Sequence, residues 1–520
     1  MEKSANANVD KSLIGKLQLA SSTARLRAFS LFAAINLSES SSTGPVLSTV
    51  MILIQTLQWL WFALSSSMEF PWTDVYVTWL REITRITRPD LFFTSDDSAS
   101  VPLAISVVLL TLSLFLWLLA TSITSSLQRS GGHIIALGAT LSERVPSPSS
   151  SSSVITEGTE QLVSVRAFAA RSWPLHVLAT ALLWTSTILF IPLTALLVGT
   201  LRCGSETECF KGQHLASIVI GLAALVLWLP LSLCFIVFKF PQSMQIQSAM
   251  NTATLKTTIQ SDPCSADSKV DFTAMAHTRV ALLYQLGALT ITSAHALTNS
   301  SGATAQWFLA AMLLGVSSSN LVAHLWYLPC IHPTYQMCQV ASHSVMTWSA
   351  LSLIVTLLYG EQNQVVGSVL LLLGSPILMS FMQMLLLRRR ITIQSMKFTD
   401  FRDPLLLDVK VRQAYKLTNV SNLDVDGAPI NYRSLNLSVA PDDVSGQTVQ
   451  RDVLCYIVKA CQRMQAAPLL CLQMATNISS IDGSRAHVAL LLRWASEKEA
   501  ALDAQFGVYC LQQCLEASYL

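Results

Sequence analysis

The chain has 520 residues, of which 52% are apolar and only 12% charged, and its mean hydropathy is +0.48. Soluble domains carry about 25% charged residues, so a soluble protein of this length is excluded. Lys+Arg 33 against Asp+Glu 31 leaves a net charge of +2, which speaks against nucleic acid as a partner. What remains is a multi-pass membrane protein.

A spanning helix needs about 20 mostly apolar residues to cross a hydrocarbon core of roughly 30 Å. Eight segments meet that demand: Val46–Met68, Val101–Ile123, Pro174–Thr200, His214–Phe238, Arg279–Leu297, Thr304–Leu328, Gln336–Tyr359 and Val365–Leu387. Their apolar runs are continuous rather than alternating, so helices are expected and barrel strands are not. The fifth carries Tyr284, Gln285, Thr290, Thr292, Ser293 and His295, and reads either as a span or as a helix buried in the bundle or at the interface. The expected fold class is therefore all-α: about eight transmembrane helices followed by a C-terminal helical domain.

No apolar run precedes Val46, and residues 1–45 read as a cytosolic arm without a signal peptide. The Lys/Arg bias sets orientation. With the N-terminus inside, Arg129, Arg144, Arg166, Arg171, Lys239, Lys256, Lys269 and Arg279 fall on the cytosolic side, and Arg388–Arg389–Arg390 closes the last span there. Arg81, Arg85 and Arg88 in the first outer loop run against the rule, offset by Glu69, Asp74, Asp90, Asp96 and Asp97. Both termini are expected in the cytosol, with the protein in the plasma membrane or an endomembrane and the lipid bilayer as its first partner.

Cys203 and Cys209 bracket a short loop on the expected outer side, where an oxidising compartment would let them form a disulfide. Two unpaired thiols are the alternative. The Ser/Pro run within residues 145–154 reads as a low-complexity linker inside a transmembrane domain of residues 46–390. Residues 391–520 have a soluble composition and apolar stripes at the helical period, such as Val453, Leu454, Ile457, Val458 and Cys461. They read as a cytosolic helical domain that meets a protein partner, built either as tetratricopeptide-like hairpins or as an irregular helical unit.

Chemistry is sparse. The spans hold no Asp or Glu, and their only cations, Arg202, Lys211 and Arg279, sit at or beyond the boundaries. An ion-coupled pump normally carries such groups inside. His295, His324 and His343 read as helix–helix hydrogen-bonding residues; with Ser317, Ser318, Ser319 and Asn320 they would also line a transport path. Gly315–Val316–Ser317–Ser318 followed by His324 has the residue types of an intramembrane serine protease, but small residues in membrane helices are explained by close packing alone. No catalytic, cofactor-binding or metal-binding set is expected. Pro192, Pro230, Pro329 and Pro376 are expected to kink or end their helices.

Several stretches taken in order carry a resemblance: Ile188–Leu189–Phe190–Ile191–Pro192, Cys203 with Cys209–Phe210–Lys211–Gly212–Gln213–His214, Ala276–His277–Thr278–Arg279, Tyr327–Leu328–Pro329, Gly374–Ser375–Pro376 and Asp503–Ala504–Gln505–Phe506. Together they resemble the tiny macrocyst protein family (B/C type) over nearly the whole chain. The resemblance implies a polytopic membrane protein with a tetratricopeptide-like cytosolic region. Larger members continue into PAS and sometimes nucleotide cyclase modules; none is expected here, so a non-enzymatic sensory, signalling or scaffold role is implied. A transporter or channel-like protein is the second expectation.

Overall fold

The structure, a computed structural model, describes most residues within 21–36, 44–130, 173–202, 211–239, 275–298 and 302–410, and parts of 471–510. Helix α1 covers residues 21–36. There follow α2 (Pro45–Leu64), α3 (Asp74–Ile86), the short α4 (Asp90–Phe93), α5 (Ser100–Ser130), α6 (Trp173–Ser186) and α7 (Phe190–Gly199). Then come α8 (Gly212–Lys239), α9 (Arg279–Leu297), α10 (Ala303–Tyr327), α11 (Pro333–Tyr359), α12 (Gln364–Ser395) and, in the tail, α13 (Arg485–Ser496). No strand occurs among the described residues. Helices α2, α5 and α8–α12 are long and apolar enough to cross a membrane, and α6 with α7 supplies an eighth crossing if the bent pair is one span. This is the architecture of a multi-pass helical membrane protein, and the segment expected as the fifth span is one of its full-length helices.

Chain direction can be followed through the two large apolar cores. One joins Met51 of α2, Leu116 and Ile123 of α5, Leu175 and Leu182 of α6, and Phe235 and Phe238 of α8, together with α1. The other joins Trp59 and Leu64 of α2, Phe190 and Leu197 of α7, Ile291 of α9, Leu309 of α10, Leu353 of α11 and Leu371 of α12. The C-terminal ends of α5 and α8 thus lie at the same end of the bundle, so the chain between them must return once. Among the described residues the pair α6–α7 is what can make that passage, which counts it as a crossing. Outward-facing Trp173 and Trp326 mark one end, and outward-facing Trp79 and Tyr359 the other, as aromatic side chains do at the two membrane interfaces.

Lipid tails are as apolar as leucine, so these helices are held by close packing and hydrogen bonds rather than by escape from water. At Gly287 of α9 a Cβ would stand 2.3 Å from Val316 of α10, and at Gly374 of α12 it would stand 2.1 Å from the Trp348 ring of α11. Glycine is what lets those backbones approach. The Trp348 indole uses the space to donate to the Leu370 carbonyl at 2.8 Å.

Proline behaves differently at each site. Pro230 and Pro376 sit inside α8 and α12 without ending them. Pro329 follows Leu328, which stops α10 in the left-handed region at φ 46°. The helix end exposed there is closed by Gln336, whose Nε2 donates to the His324 carbonyl (2.8 Å) while its Oε1 accepts from the Cys330 N–H (3.0 Å). Pro192 does not break its span. The break lies earlier, at residues 187–189, and Pro192 occupies the first turn of α7, where its missing N–H is not needed.

The tail is bound to the bundle. Leu491, Leu492, Ala495 and Val508 share a buried core with Leu321 and Leu328 of α10, Val340 of α11, and Leu386 and Ile393 of α12. Phe506 meets Phe29 of α1 and Phe238 of α8, at centroid separations of 5.1 and 4.7 Å. Arg25 donates to the Gln505 Oε1 at 2.8 Å. Both ends of the described chain therefore lie at the same end of the bundle. The Ser/Pro linker, the stripe from Val453 to Cys461, and Cys203 and Cys209 lie outside the described residues.

Candidate functional site

The break between α6 and α7 bends the span by 72°. Its local cause is the run Thr185–Ser186–Thr187. Thr185 Oγ1 donates back to the Ala181 carbonyl (2.7 Å) and Thr187 Oγ1 to that of Leu183, and such back-bonding loosens a helix. Carbonyls freed inside a bilayer must find donors within the protein. Three glutamines from neighbouring helices supply them. Gln285 of α9 donates to the Ser186 carbonyl at 3.0 Å, Gln58 of α2 to that of Ile188 at 2.8 Å, and Gln55 of α2 reaches that of Thr187 at 3.4 Å. The Gln58 amide also donates to the Thr87 carbonyl between α3 and α4 at 2.9 Å. One buried side chain thus ties down two irregular segments.

Beside the break lies a cavity with about 60 Å³ open to the centre of a water molecule. It is bounded by Ser186, Thr187, Tyr284, Gln285, His324 and His343 among others, and among the described residues no Asp, Glu, Lys or Arg lines it. Its walls come from the first half of α2, α9 and α11 and the last part of α8 and α10, so it lies in the half of the bundle nearest α1 and the tail. The His343 ring stands 4.8 Å from that of His324 and 5.6 Å from that of Tyr284, whose hydroxyl accepts from the Trp59 indole at 2.8 Å.

The residues suspected of forming one polar path are divided by this geometry. His324 and His343 come together on the cavity. Asn320 and Ser317 are buried about one and two turns from His324 on α10, whereas Ser319 turns outward. His295 lies at the other end, 3.2 Å from the Ser65 hydroxyl and against the Trp61 and Phe62 rings. Ser317, Ser318 and Ser319 each donate to a carbonyl of their own helix. Seven residues of helix separate Ser317 from His324, a rise of about 10 Å, so a Ser–His nucleophile pair is not formed. Among the described residues no three His, Cys, Asp or Glu side chains converge as a metal site.

A second polar cluster was not legible in the sequence. Arg88, placed there among the cations that oppose the positive-inside rule, is 1% exposed and pairs with Asp90, itself 3% exposed. The fork is bidentate: Nε to Oδ1 at 2.8 Å and Nη2 to Oδ2 at 2.6 Å. The guanidinium also lies 4.3 Å from the centroid of the Trp61 ring. Its charge is neutralised inside the protein, so it does not count against the orientation. Of the arginine triplet, Arg389 stacks over Trp326 at 4.6 Å and Arg390 donates to the Pro333 carbonyl at 3.3 Å.

Comparison of the chain with protein-family models, curated proteins and solved structures finds no match.

Proposed function

We propose that this chain is a non-enzymatic signalling or scaffold protein of a membrane, with both termini in the cytosol, whose C-terminal segments engage a protein partner. The resemblance to the tiny macrocyst protein family points the same way. The observation that carries the reading is the shared core of tail and bundle, in which Val508 and Leu492 pack with Leu328, Val340 and Leu386. Any rearrangement of α10–α12 alters the seat of the tail. Meanwhile Leu490 and Leu502 of the tail are 38% and 45% exposed, and these apolar side chains are the ones offered to the partner.

The test uses the full chain in its native membrane. Leu490→Asp with Leu502→Asp is expected to leave insertion and thermal stability within about 0.5 kcal/mol, as outward substitutions do, while abolishing recovery of the protein cross-linked to the wild type. Recovery of the same partner from the double variant would refute the reading. A disulfide between Cys203 and Cys209 belongs to the same proposal, since it places that loop outside.

The second reading, a transporter or channel-like protein, is favoured by the broken span, because discontinuous helices around a polar cavity are how many carriers bind substrate. Solute flux into proteoliposomes that disappears in His324→Ala and His343→Ala would establish it in place of the first.

A further inference from the structure

Two side chains on the cavity are buried without using their polar atoms. His343 is 1% exposed and neither of its ring nitrogens has a hydrogen-bond partner; Ser186 is 1% exposed and its hydroxyl is likewise unpartnered. A buried polar group left without a hydrogen-bond partner is unfavourable. The backbone at the break does not need them, because glutamine amides already serve its carbonyls. Nor is His343 oriented through its nitrogens: the rings of Tyr284 and His324 hold it from two sides. A phenylalanine would pack there equally well if packing were its only task.

From this geometry we infer that the cavity is a binding site for a small uncharged molecule that both donates and accepts hydrogen bonds, of the carboxamide or hydroxyl class. An uncharged imidazole presents one donor and one acceptor, and a serine hydroxyl presents both, so the two residues together grip a ligand of mixed character. A charged ligand is disfavoured because, among the described residues, no carboxylate, amine or guanidinium lines the walls to pair with it. A metal is disfavoured because the described residues bring no third ligand of the right kind. The space admits several waters or one small molecule, at roughly 10–15 Å³ per water centre. The site stands apart from the signalling reading, since receptor and carrier alike can use it.

The experiment is thermal unfolding of the full chain in nanodiscs, titrated with acetamide or glycerol, and with sodium acetate as the charged control. The wild type is expected to show a saturable rise in Tm with at least one neutral probe and none with acetate. His343→Phe and Ser186→Ala are each expected to weaken that apparent affinity about tenfold, the equivalent of one lost hydrogen bond. Without probe, both variants are expected to unfold at the wild-type temperature or above it, since each replaces an unsatisfied buried polar group by an apolar one of similar shape. No saturable shift with either neutral probe, as for a cavity holding water only, would overturn the inference. So would shifts equal in wild type and variants, or variants that are less stable without probe. The partner-recovery test is unaffected by any of these results.

Discussion

Arg88→Met is expected to destabilise the protein by about 3–5 kcal/mol. The change leaves the Asp90 carboxylate buried at 3% exposure with its bidentate partner gone, and an uncompensated buried charge costs about that much. The double variant Arg88→Met with Asp90→Leu is expected to recover most of the loss, because exchanging both members for apolar side chains removes the stranded charge. Unfolding of the purified protein in nanodiscs reads both. A double variant as damaged as the single one would mean that the Arg88 ring contacts with Trp61 and Phe62, rather than the ion pair, hold this end of the bundle.

Gln58→Leu is expected to cost about 2–6 kcal/mol. Its amide donates to two carbonyls, those of Thr87 and Ile188, and each carbonyl stranded in an apolar interior costs roughly 1–3 kcal/mol. Leucine fills a similar volume, so packing is little changed. Gln55→Leu is the internal control: its 3.4 Å approach to the Thr187 carbonyl is long, and a loss below about 1 kcal/mol is expected. Equal losses in the two variants would show that the amides act by packing and not by closing the broken span.

The spans were legible because a bilayer imposes a length and an apolar composition that nothing else requires of a helix. The bend at residues 187–189 was less so. Proline at 192 drew attention to that segment, but it sits harmlessly in a first turn, and the hydroxyl run Thr185–Ser186–Thr187 is what loosens the helix. A glutamine in an apolar span is a visible signal, yet which carbonyl it serves depends on a helix more than a hundred residues away, as Gln58 and Ile188 illustrate. His324 and His343 could be suspected singly; that their rings meet at 4.8 Å while His295 lies at the other end is a matter of tertiary packing. Arg88 and Asp90 were visible only as loop charges, because burial of an ion pair leaves no periodic trace.

The docked tail carries the functional reading, and amide hydrogen exchange on the full chain in nanodiscs tests it most directly. Residues 485–496 and 504–510 are expected to be protected in the wild type. That protection is expected to fall sharply in Leu386→Asn, which alters only the α12 side of the shared core. Tail amides that exchange at unstructured-peptide rates in the wild type, or that keep their protection in the variant, would contradict the reading.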